Sequence, residues 1–520
     1  MNPTDEQTAA ADAFHAGDHL ALQAGAGTGK TTTLTLLART TTRRGRYLAY
    51  NRAIAQDATA RFPNTVQCKT AHALAYAAVG HRYRSRLNAP RRPAWKTGQA
   101  LGITKAIRIG DRDVTQRALS NALLRTVTHF CHTADEKITR HHVPKLRGLE
   151  DTGMHRELAT HLLPFARKAW NDLQNPDDGA VRFDHDHYLK IWALTQPRID
   201  ADYLLLDEAQ DTNPVVEQIF LAQRDHTQLV MVGDSAQAIY HWRGAKDVMT
   251  GFDGTQLTLS QSFRFGPQLA EEANRWLRLA DAPIRLTGAE TVPTELGFVA
   301  QPDAVLCRTN VGAMAQVMSL MATGHRVALV GGGDSLRALA LAARDLKEGR
   351  RTHHPELILF PSWGDLQDYA SHDPAGRDLQ PLVNLVDTHG TDAILTAVTQ
   401  LAPEPHAQVT VSTAHKAKGR EWPRVLIADD FTRSKDNHAS DQTNTPPPPD
   451  PIDDAEARLA YVAVTRARQR LDLAGLSWIH SHPDGNPAPR LHTSLRTAPP
   501  VSRAAPLIRS FEQSASTCQR

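Results

Sequence analysis

The chain has 520 residues, with 59 lysines and arginines against 56 aspartates and glutamates and a formal net charge of +3. So small a charge excludes a uniformly basic nucleic-acid-binding protein, and any polyanion surface must be a local concentration of charge. The four cysteines are far apart and form no metal-ligand or redox spacing, which fits a reducing compartment. No signal-peptide pattern begins the sequence, and no apolar run approaches the ~20 residues of a membrane helix. We expect a cytoplasmic protein of about two to four domains without a membrane partner.

Residues 21–34 read ALQAGAGTGKTTTL, an apolar strand-like run followed by a glycine-rich loop. The phosphate-loop pattern asks for glycine, four residues and then Gly-Lys-Ser/Thr, and Ala24 holds the first glycine position. Alanine is acceptable there if its φ is negative, because the later glycines let backbone N–H groups close around phosphate oxygens. Lys30 is expected to reach the β- and γ-phosphates, and the Thr31 hydroxyl to bind Mg²⁺. The alternative is a glycine-rich turn between a strand and a helix.

Strand-like runs alternate with helical segments along the chain, which predicts two parallel-sheet α/β cores with a helical insertion in each. The runs begin at Leu20, Arg46, Val66, Tyr203, Gln228 and Gln256 in the first series, and at Ala304, Arg326, Val409 and Pro423 in the second. The expected boundaries are 1–78 and 203–265 for the first core, 79–202 for its insertion, 266–333 and 406–478 for the second core, 334–405 for a reduced second insertion, and 479–520 for a disordered tail. The proline-rich segment 434–454 is also expected to be loosely attached.

Two carboxylates follow the apolar run Leu204 to Leu206, in the sequence DEAQD. They are Asp207 and Glu208, and they fall at the carboxyl end of a buried strand, where open α/β sheets bind ligands. Asp207 is expected to hold Mg²⁺ and Glu208 to orient and deprotonate the attacking water. The alternative is a solvated acidic turn.

The next strand is followed by GDSAQAIYHWRGA. Gln237 can hydrogen-bond both a terminal phosphate oxygen and a water, so it can sense the γ-phosphate. Tyr240 and Trp242 beside Arg243 suit stacking on single-stranded bases, although the two aromatic residues taken alone are more typical of a core.

Two other segments have less specific patterns. In FDHDHY, Asp184 to His187 could form a metal site, but alternating residues of an extended strand face opposite sides, which favours a packed structural segment. The basic run from Arg82 to Lys96 could contact duplex DNA or be an ordinary solvated face.

The ordered set of motifs resembles superfamily 1 helicases of the UvrD/Rep class over about residues 3–476. Three segments are most similar to the F-box DNA helicase branch: YLAYNRAIAQDA, DHDHYLKIWAL and AYVAVTRAR. No F-box is expected before the phosphate loop. The resemblance implies two RecA-like P-loop NTPase cores. It also implies a 1B-like first insertion and a 2B-like second one that is shorter here than in the larger members.

The resemblance assigns a role to each residue that matches a family motif. Gln7 would read adenine, Phe263 would stack on it, Glu421 would bind the ribose, and Arg264 and Arg466 would meet the γ-phosphate. The nucleotide-binding set is Gln7, Gly25, Ala26, Gly27, Thr28, Gly29, Lys30, Thr31, Thr32, Phe263, Arg264, Glu421 and Arg466. The catalytic set is Lys30, Asp207, Glu208, Gln237, Arg264 and Arg466, with Thr31 and Asp207 on the metal. The DNA-binding set is Asn51, Arg52, Thr70, His72, Tyr240, Trp242, Arg243, Thr413, His415 and Lys418.

The activity implied is that of an ATP- and Mg²⁺-dependent single-stranded DNA translocase and 3′–5′ DNA helicase. Its partners would be single-stranded DNA and duplex junctions, with a recombinase or single-strand-binding protein as a further candidate, in nucleoid-associated repair or recombination. The alternative is a DNA-stimulated ATPase that strips recombinase or other proteins from single strands with little unwinding. A small-molecule P-loop kinase would leave Gln237, Trp242 and Arg243 unexplained.

Overall fold

A computed structural model describes residues 3–90, 92–146, 148–239, 249, 251–358, 360–372, 379–431 and 451–485. Tyr240, Trp242 and Arg243, which are predicted to contact DNA, lie outside the described residues. So do most of the proline-rich segment and everything after residue 485. Among the described helices, none combines the length and the apolar character that crossing a membrane requires.

The first core is built on a six-stranded sheet in which every strand is parallel to its neighbours. Numbered along the chain, the strands are β1 (Leu20–Ala24), β2 (Gly45–Ala49), β3 (Val66–Thr70), β6 (Tyr203–Leu206), β7 (Gln228–Gly233) and β8 (Thr255–Leu259). They lie in the order β3-β2-β6-β7-β1-β8. The helices of this core are α1 (Asp5–Ala16), α2 (Lys30–Arg39), α3 (Arg52–Arg61), α4 (Ala71–Ala78) and α10 (Pro214–Leu221). Leu204 and Leu205 point to opposite faces and both are buried, which explains the continuous apolar run of a doubly covered strand.

The first insertion contains five helices and a short hairpin. They are α5 (Arg84–Leu87), α6 (Ala94–Leu101), α7 (Gln116–Cys131), α8 (Thr152–Gln174) and α9 (His185–Ala193), with the antiparallel pair β4 (Ile107–Ile109) and β5 (Arg112–Val114). The long helices begin where side-chain oxygens accept backbone N–H groups, at Thr115 before α7 and at Asp151 before α8, as helix N-caps do. A single apolar cluster includes Phe130 of the insertion and Met231 of the first sheet. The insertion therefore shares a core with the sheet.

The second core is a second six-stranded parallel sheet. Its strands are β9 (Glu295–Leu296), β10 (Ala304–Cys307), β11 (Val327–Leu329), β12 (Val409–Thr413), β13 (Trp422–Ile427) and β14 (Ala467–Asp472), in the order β11-β12-β10-β13-β14-β9. Its helices are α11 (Pro267–Leu279), α12 (Asn310–Ala322), α16 (Ala414–Ala417) and α17 (Asp454–Val464). The two sheets confirm the predicted fold class of two RecA-like cores.

The second insertion forms a helical layer on one face of the second sheet. It consists of α13 (Asp334–Lys347), α14 (Trp363–His372) and α15 (Gln380–Thr399), the last of which is interrupted by non-helical backbone at Gly390. Leu366 and Val386 belong to the same apolar cluster as Val305 and Val411 of the sheet. Among the described residues this segment packs on the sheet rather than around a centre of its own.

Two predictions of local structure are wrong. Residues 184–187 are not an extended strand, because the Asp184 carboxylate accepts the Asp186 N–H at 3.1 Å and starts a helix at His185; a capping aspartate outweighs the alternation of polar residues. The tail is ordered at 479–485, since Ile479 is fully buried and Arg275 donates a hydrogen bond to the carbonyl of Gly485. The hairpin of β4 and β5 is a further departure from an all-helical first insertion.

Candidate active site

The glycine-rich loop joins β1 to α2 at the carboxyl edge of the first sheet. Ala24 is the last residue of the strand, and the loop residues with positive φ are Gly27 (+77°) and Gly29 (+79°). Alanine at the first position is therefore tolerated, because the left-handed conformations fall on later glycines. A side-chain carbon at Gly27 would lie 2.5 Å from Ser262 Oγ, so that position needs glycine for space as well. The loop leads into the N-terminus of α2, where an anion is favoured.

Asp207 receives two hydroxyl hydrogen bonds at the end of β6. Thr31 Oγ1 donates to Asp207 Oδ2 at 2.8 Å, and the Tyr47 hydroxyl donates to the same oxygen at 2.7 Å. Burial and the charge of Glu208 raise the pKa of Asp207. The buried carboxylate of Asp207 and the neighbouring Thr31 hydroxyl together offer hard oxygen ligands, which Mg²⁺ prefers.

Glu208 has an unusual backbone for a non-glycine residue, with φ of +50°. Such outliers are retained where the surrounding structure holds them, often at functional sites. Its Oε2 accepts a hydrogen bond from Gln210 Nε2 at 2.7 Å. Although burial opposes ionisation, the charges of Lys30 and Lys418 lower the pKa of Glu208 below its usual value. Glu208 is thus an ionised, oriented carboxylate able to accept a proton from water.

Arg466 crosses from the second core to the first. Its side chain is 1% exposed, and its Nη2 lies 3.4 Å from Gln237 Oε1. Gln237 in turn donates from Nε2 to Asp234 Oδ2 at 2.6 Å. Burial and the nearby charge of Arg264 lower the pKa of Arg466 to about 9. The arginine is therefore a desolvated cation that an anion in the cleft would stabilise.

Tyr461 makes a second contact across the cleft. Its hydroxyl accepts the N–H of Ala26, in the phosphate-binding loop, at 3.0 Å and donates to Asp234 Oδ2 at 2.9 Å. Ala26 also belongs to the apolar cluster of the second core. The loop that would bind phosphate therefore contacts the second core as well as the first.

Arg264 and Glu421, predicted to meet the γ-phosphate and the ribose, pair with each other. Arg264 Nε lies 2.7 Å from Glu421 Oε2, and Arg264 Nη1 donates to the carbonyl of Thr465 at 3.0 Å. Both side chains border the cleft, so a nucleotide can exchange this pair for contacts of its own.

The residues predicted to bind adenine lie beside the loop. A side-chain carbon at Gly29 would be 3.8 Å from both Gln7 Nε2 and Phe263 Cε2. The same Gln7 Nε2 donates a hydrogen bond to Thr33 Oγ1 at 3.0 Å, which holds the amide in place. The structure therefore brings an amide and an aromatic ring together at the loop, the two groups that reading and stacking a base require.

Three predicted DNA-binding residues cap short helices at the carboxyl ends of strands. The side-chain oxygens of Asn51, Thr70 and Thr413 accept the first free N–H groups of α3, α4 and α16. Arg52 is exposed beside Asn51, and half-buried His415 has its pKa lowered by burial and by Arg308. These caps put helix N-termini, which favour phosphate, along one edge of each sheet.

His72 links the first core to its insertion. Its Nε2 lies 2.9 Å from one oxygen of Asp186, and His132 Nε2 lies 2.9 Å from the other. Burial alone would raise the pKa of Asp186, but hydrogen bonds from His132 and His72 hold it well below its usual range. These residues line a cavity of about 1020 Å³ between the carboxyl edge of the sheet and the insertion.

Lys418, predicted to contact DNA, lies in the cleft between the two cores. Its Nζ lies 2.6 Å from Asp211 Oδ1, its side chain is only 9% exposed, and it also donates to the carbonyl of Gln237. The ammonium is drawn into the cleft because Asp211 offers a buried counter-charge there. In this structure the residue ties α16 of the second core to the carboxylate motif of the first.

Comparisons with known proteins agree with this geometry. Residues 7–243 match the family described as AAA domain, and residues 380–477 match the UvrD-like helicase C-terminal domain. Together these matches support a UvrD/Rep-like superfamily 1 helicase. The chain is 28% identical over 498 residues to F-box DNA helicase protein 1 of Schizosaccharomyces pombe, covering 88% of this chain and 55% of the relative.

Two further helicase relatives show similar identity. F-box DNA helicase 1 of Gallus gallus is 27% identical over 490 residues, covering 88% of this chain and 47% of the relative. DNA helicase IV of Escherichia coli is 25% identical over 358 residues, or 65% of this chain and 42% of the relative. The chain thus spans about half the length of the curated helicases it matches.

Sequence reasoning missed four polar residues of this candidate site: Tyr47, Asp211, Asp234 and Tyr461. Each makes a contact with a residue far away in sequence. Tyr461 offered one signal, since it is a phenol in the apolar run just before Arg466, and a buried tyrosine usually has a hydroxyl partner.

Replacing Tyr461 with phenylalanine is expected to lower kcat/KM for ATP by about 10- to 100-fold, since a hydrogen bond to a charged group contributes about 1.5–3 kcal/mol. The variant removes only the hydroxyl that joins Ala26 to Asp234. Steady-state ATP hydrolysis at saturating single-stranded DNA measures the effect. Tyr76→Phe, a half-buried tyrosine of α4, is the matched control, and equal rates for the two variants would contradict a role for the hydroxyl.

The pair between Lys418 and Asp211 predicts a pH dependence. Burial, only partly offset by Lys418, raises the pKa of Asp211 to about 6. Asp211 is therefore ionised above about pH 6, and the ion pair across the cleft is lost as the pH falls through that value. We expect kcat/KM for ATP to drop by up to about tenfold per pH unit below this point. In Asp211→Asn this inflection should be absent, and a variant that keeps it would assign the inflection to another group.

Proposed function

We propose that this chain is an ATP-dependent single-stranded DNA translocase and 3′–5′ DNA helicase. The contact of Arg466 with Gln237 is the observation that carries the proposal. It joins a guanidinium of the second core to the residue that would sense the γ-phosphate in the first core. Because a complete hydrolysis site needs both cores together, hydrolysis and cleft opening are coupled, as in other closing enzymes.

The residues of the cleft divide the work of phosphoryl transfer. Glu208 takes a proton from the attacking water, Lys30 and the loop N–H groups hold the phosphates, and Arg264 and Arg466 meet the charge that spreads over the transferring group. Thr31 and Asp207 would hold Mg²⁺, which neutralises phosphate charge when it is bound. Support for the metal comes from the buried, doubly hydrogen-bonded carboxylate of Asp207.

A path for single-stranded DNA is proposed along the carboxyl edges of both sheets. Support comes from the capped helix N-termini at Asn51, Thr70 and Thr413 and from the cavity beside His72. Each ATP cycle changes the distance between the DNA-binding residues of the two cores. The strand moves because the two cores hold and release it in turn. The 3′–5′ direction is proposed because DEAQD, TAHKAKGREW and YVAVTRA resemble the UvrD class.

A second function has one observation in its favour. The second insertion packs as a layer on the second sheet and so resembles a reduced form of the domain that regulates unwinding in larger members. Movement along single strands, with removal of a recombinase or single-strand-binding protein, would need no such domain. This alternative keeps the same ATPase site and differs only in what the motion displaces.

The test is ATP hydrolysis with and without single-stranded DNA across a salt series. The proposal expects strong stimulation that weakens steeply with salt, because phosphate contacts release counterions. Duplexes with a 3′ or a 5′ tail then report polarity, and protein-coated single strands report displacement. Equal rates with and without DNA would contradict both functions, whereas displacement without unwinding would favour the second.

A further inference from the structure

Three potential metal ligands meet in the loop that joins α7 to α8 of the first insertion. Asp135 Oδ2 lies 2.6 Å from His141 Nε2 and 3.0 Å from His142 Nε2. All three ligand atoms lie within 4.8 Å of one another. The two imidazole rings come from consecutive residues of a short 3₁₀ turn, Arg140–His142, and their centroids are 3.9 Å apart. The turn therefore aims both rings at one carboxylate oxygen.

That oxygen is not satisfied by hydrogen bonds. Asp135 Oδ2 is shielded from solvent and has no hydrogen-bond partner, although two nitrogen atoms lie close to it. Buried polar atoms nearly always have a partner, so an exception requires an explanation such as an ion. The two imidazole nitrogens and this carboxylate oxygen are close enough together to share one cation.

Thr139 is positioned to orient both rings. Its Oγ1 lies 2.7 Å from His141 Nδ1, and its carbonyl oxygen lies 3.2 Å from His142 Nδ1. When each Nδ1–H donates to oxygen, the lone pair of each Nε2 faces Asp135, which is how histidine ligands are usually oriented. The Thr139 N–H donates to His142 Nδ1 at 2.9 Å, and Thr133 Oγ1 lies 3.0 Å from His142 Nε2. Metal binding at this Nε2 therefore requires a change of tautomer and loss of the Thr133 contact.

The loop is already held from its other side. Lys190 of α9 donates to the carbonyls of Thr133 and Asp135, at 2.6 and 2.5 Å. These bonds fix the backbone that carries the carboxylate and satisfy the ammonium without use of the Asp135 side chain. The backbone that carries the carboxylate is therefore fixed before any ion binds, which lowers the entropy cost of binding.

We propose that Asp135, His141 and His142 bind one Zn²⁺ ion. Two imidazoles and a carboxylate match the ligands zinc takes in proteins, and a water can complete the tetrahedron. His141 is 61% exposed, which gives the ion access from solvent. Both histidines line the cavity beside His72. A bound ion would therefore hold in place a loop that forms part of the cavity wall.

Binding is tested on the full chain with Co²⁺ as a spectroscopic probe, without nucleotide or DNA. We expect one tetrahedral Co²⁺ spectrum per chain, displaced by Zn²⁺, and a rise in Tm with Zn²⁺ that a chelator reverses. Asp135→Asn and His141→Gln should each weaken Co²⁺ affinity by at least about 10²-fold, the upper end of what is lost when only an orienting partner is removed. Both residues are partly exposed, so folding should persist, and the melting curve without metal verifies it.

His325→Gln, at an exposed histidine of the second core, is the matched control and should leave Co²⁺ binding unchanged. Two results would overturn the proposal. One is the same Co²⁺ affinity in wild type and in the Asp135→Asn/His141→Gln double variant, which would place binding elsewhere among the histidines. The other is no Co²⁺ or Zn²⁺ bound by folded wild type, which would leave the cluster as a direct contact between Asp135 and the two histidines.

Discussion

Glu208→Gln is expected to lower the ATP hydrolysis rate by about 10²- to 10⁴-fold while ATP still binds, because a positioned general base typically contributes that much. The amide keeps the shape of the carboxylate and an oxygen that can accept the hydrogen bond from Gln210, but it cannot take a proton. Single-turnover hydrolysis measures the chemical step, and a fluorescent ATP analogue measures binding.

The matched control for this prediction is Asp57→Asn, an exposed carboxylate of α3 that pairs with Arg61. It makes the same acid-to-amide change in the same core and should retain the wild-type rate. Retention of more than about a tenth of the rate in Glu208→Gln, with normal DNA binding, would assign the proton transfer to another group.

The second large effect is expected for Arg466→Lys, with a loss in kcat of about 10³- to 10⁵-fold, the range for an arginine that stabilises a transferring phosphoryl group. The guanidinium contacts Val462 O, Thr465 Oγ1 and Gln237 Oε1. A lysine keeps the charge but cannot hold this planar set of bonds. DNA-stimulated ATP hydrolysis is the measurement, with binding of single-stranded DNA followed in parallel.

Arg470→Lys, at a partly exposed arginine of β14, is the control for the Arg466 prediction because it makes the same change in the same core. The double variant Arg264→Lys/Arg466→Lys adds a check, since residues that act together in one transition state are strongly non-additive. Fully additive losses would argue that the two arginines act at separate steps.

Much of the site was predictable because its parts are local in sequence. The loop ending in Lys30 and the pair Asp207–Glu208 each follow a recognisable apolar strand, and parallel strands bring their carboxyl ends to one edge. The contact between Arg466 and Gln237 joins residues 229 positions apart, and only the family resemblance pointed to it. Local pattern alone does not specify how two sheets face each other.

The misses have physical causes of the same kind. The resemblance assigned Lys418 to DNA, but nothing in the local sequence indicated its ion pair, because the buried carboxylate that attracts it, Asp211, is 207 positions away. Asp184 was read as part of an alternating strand, although a single side-chain bond to the backbone was enough to start α9. In both cases one long-range or capping contact outweighed the local pattern.

The apolar cluster that runs from the first sheet into the first insertion has a mechanical consequence. Pulling the two apart would expose side chains such as Phe130 and Met231, at about 1.5–3 kcal/mol for each large side chain. The two cores share Ala26 in an apolar cluster, but the contacts between them also include a phenol, a guanidinium and an ammonium, whose partners water or a phosphate can replace. If the proposed function holds, we expect the ATP cycle to move the two cores at these polar contacts and to leave the first core and its insertion together.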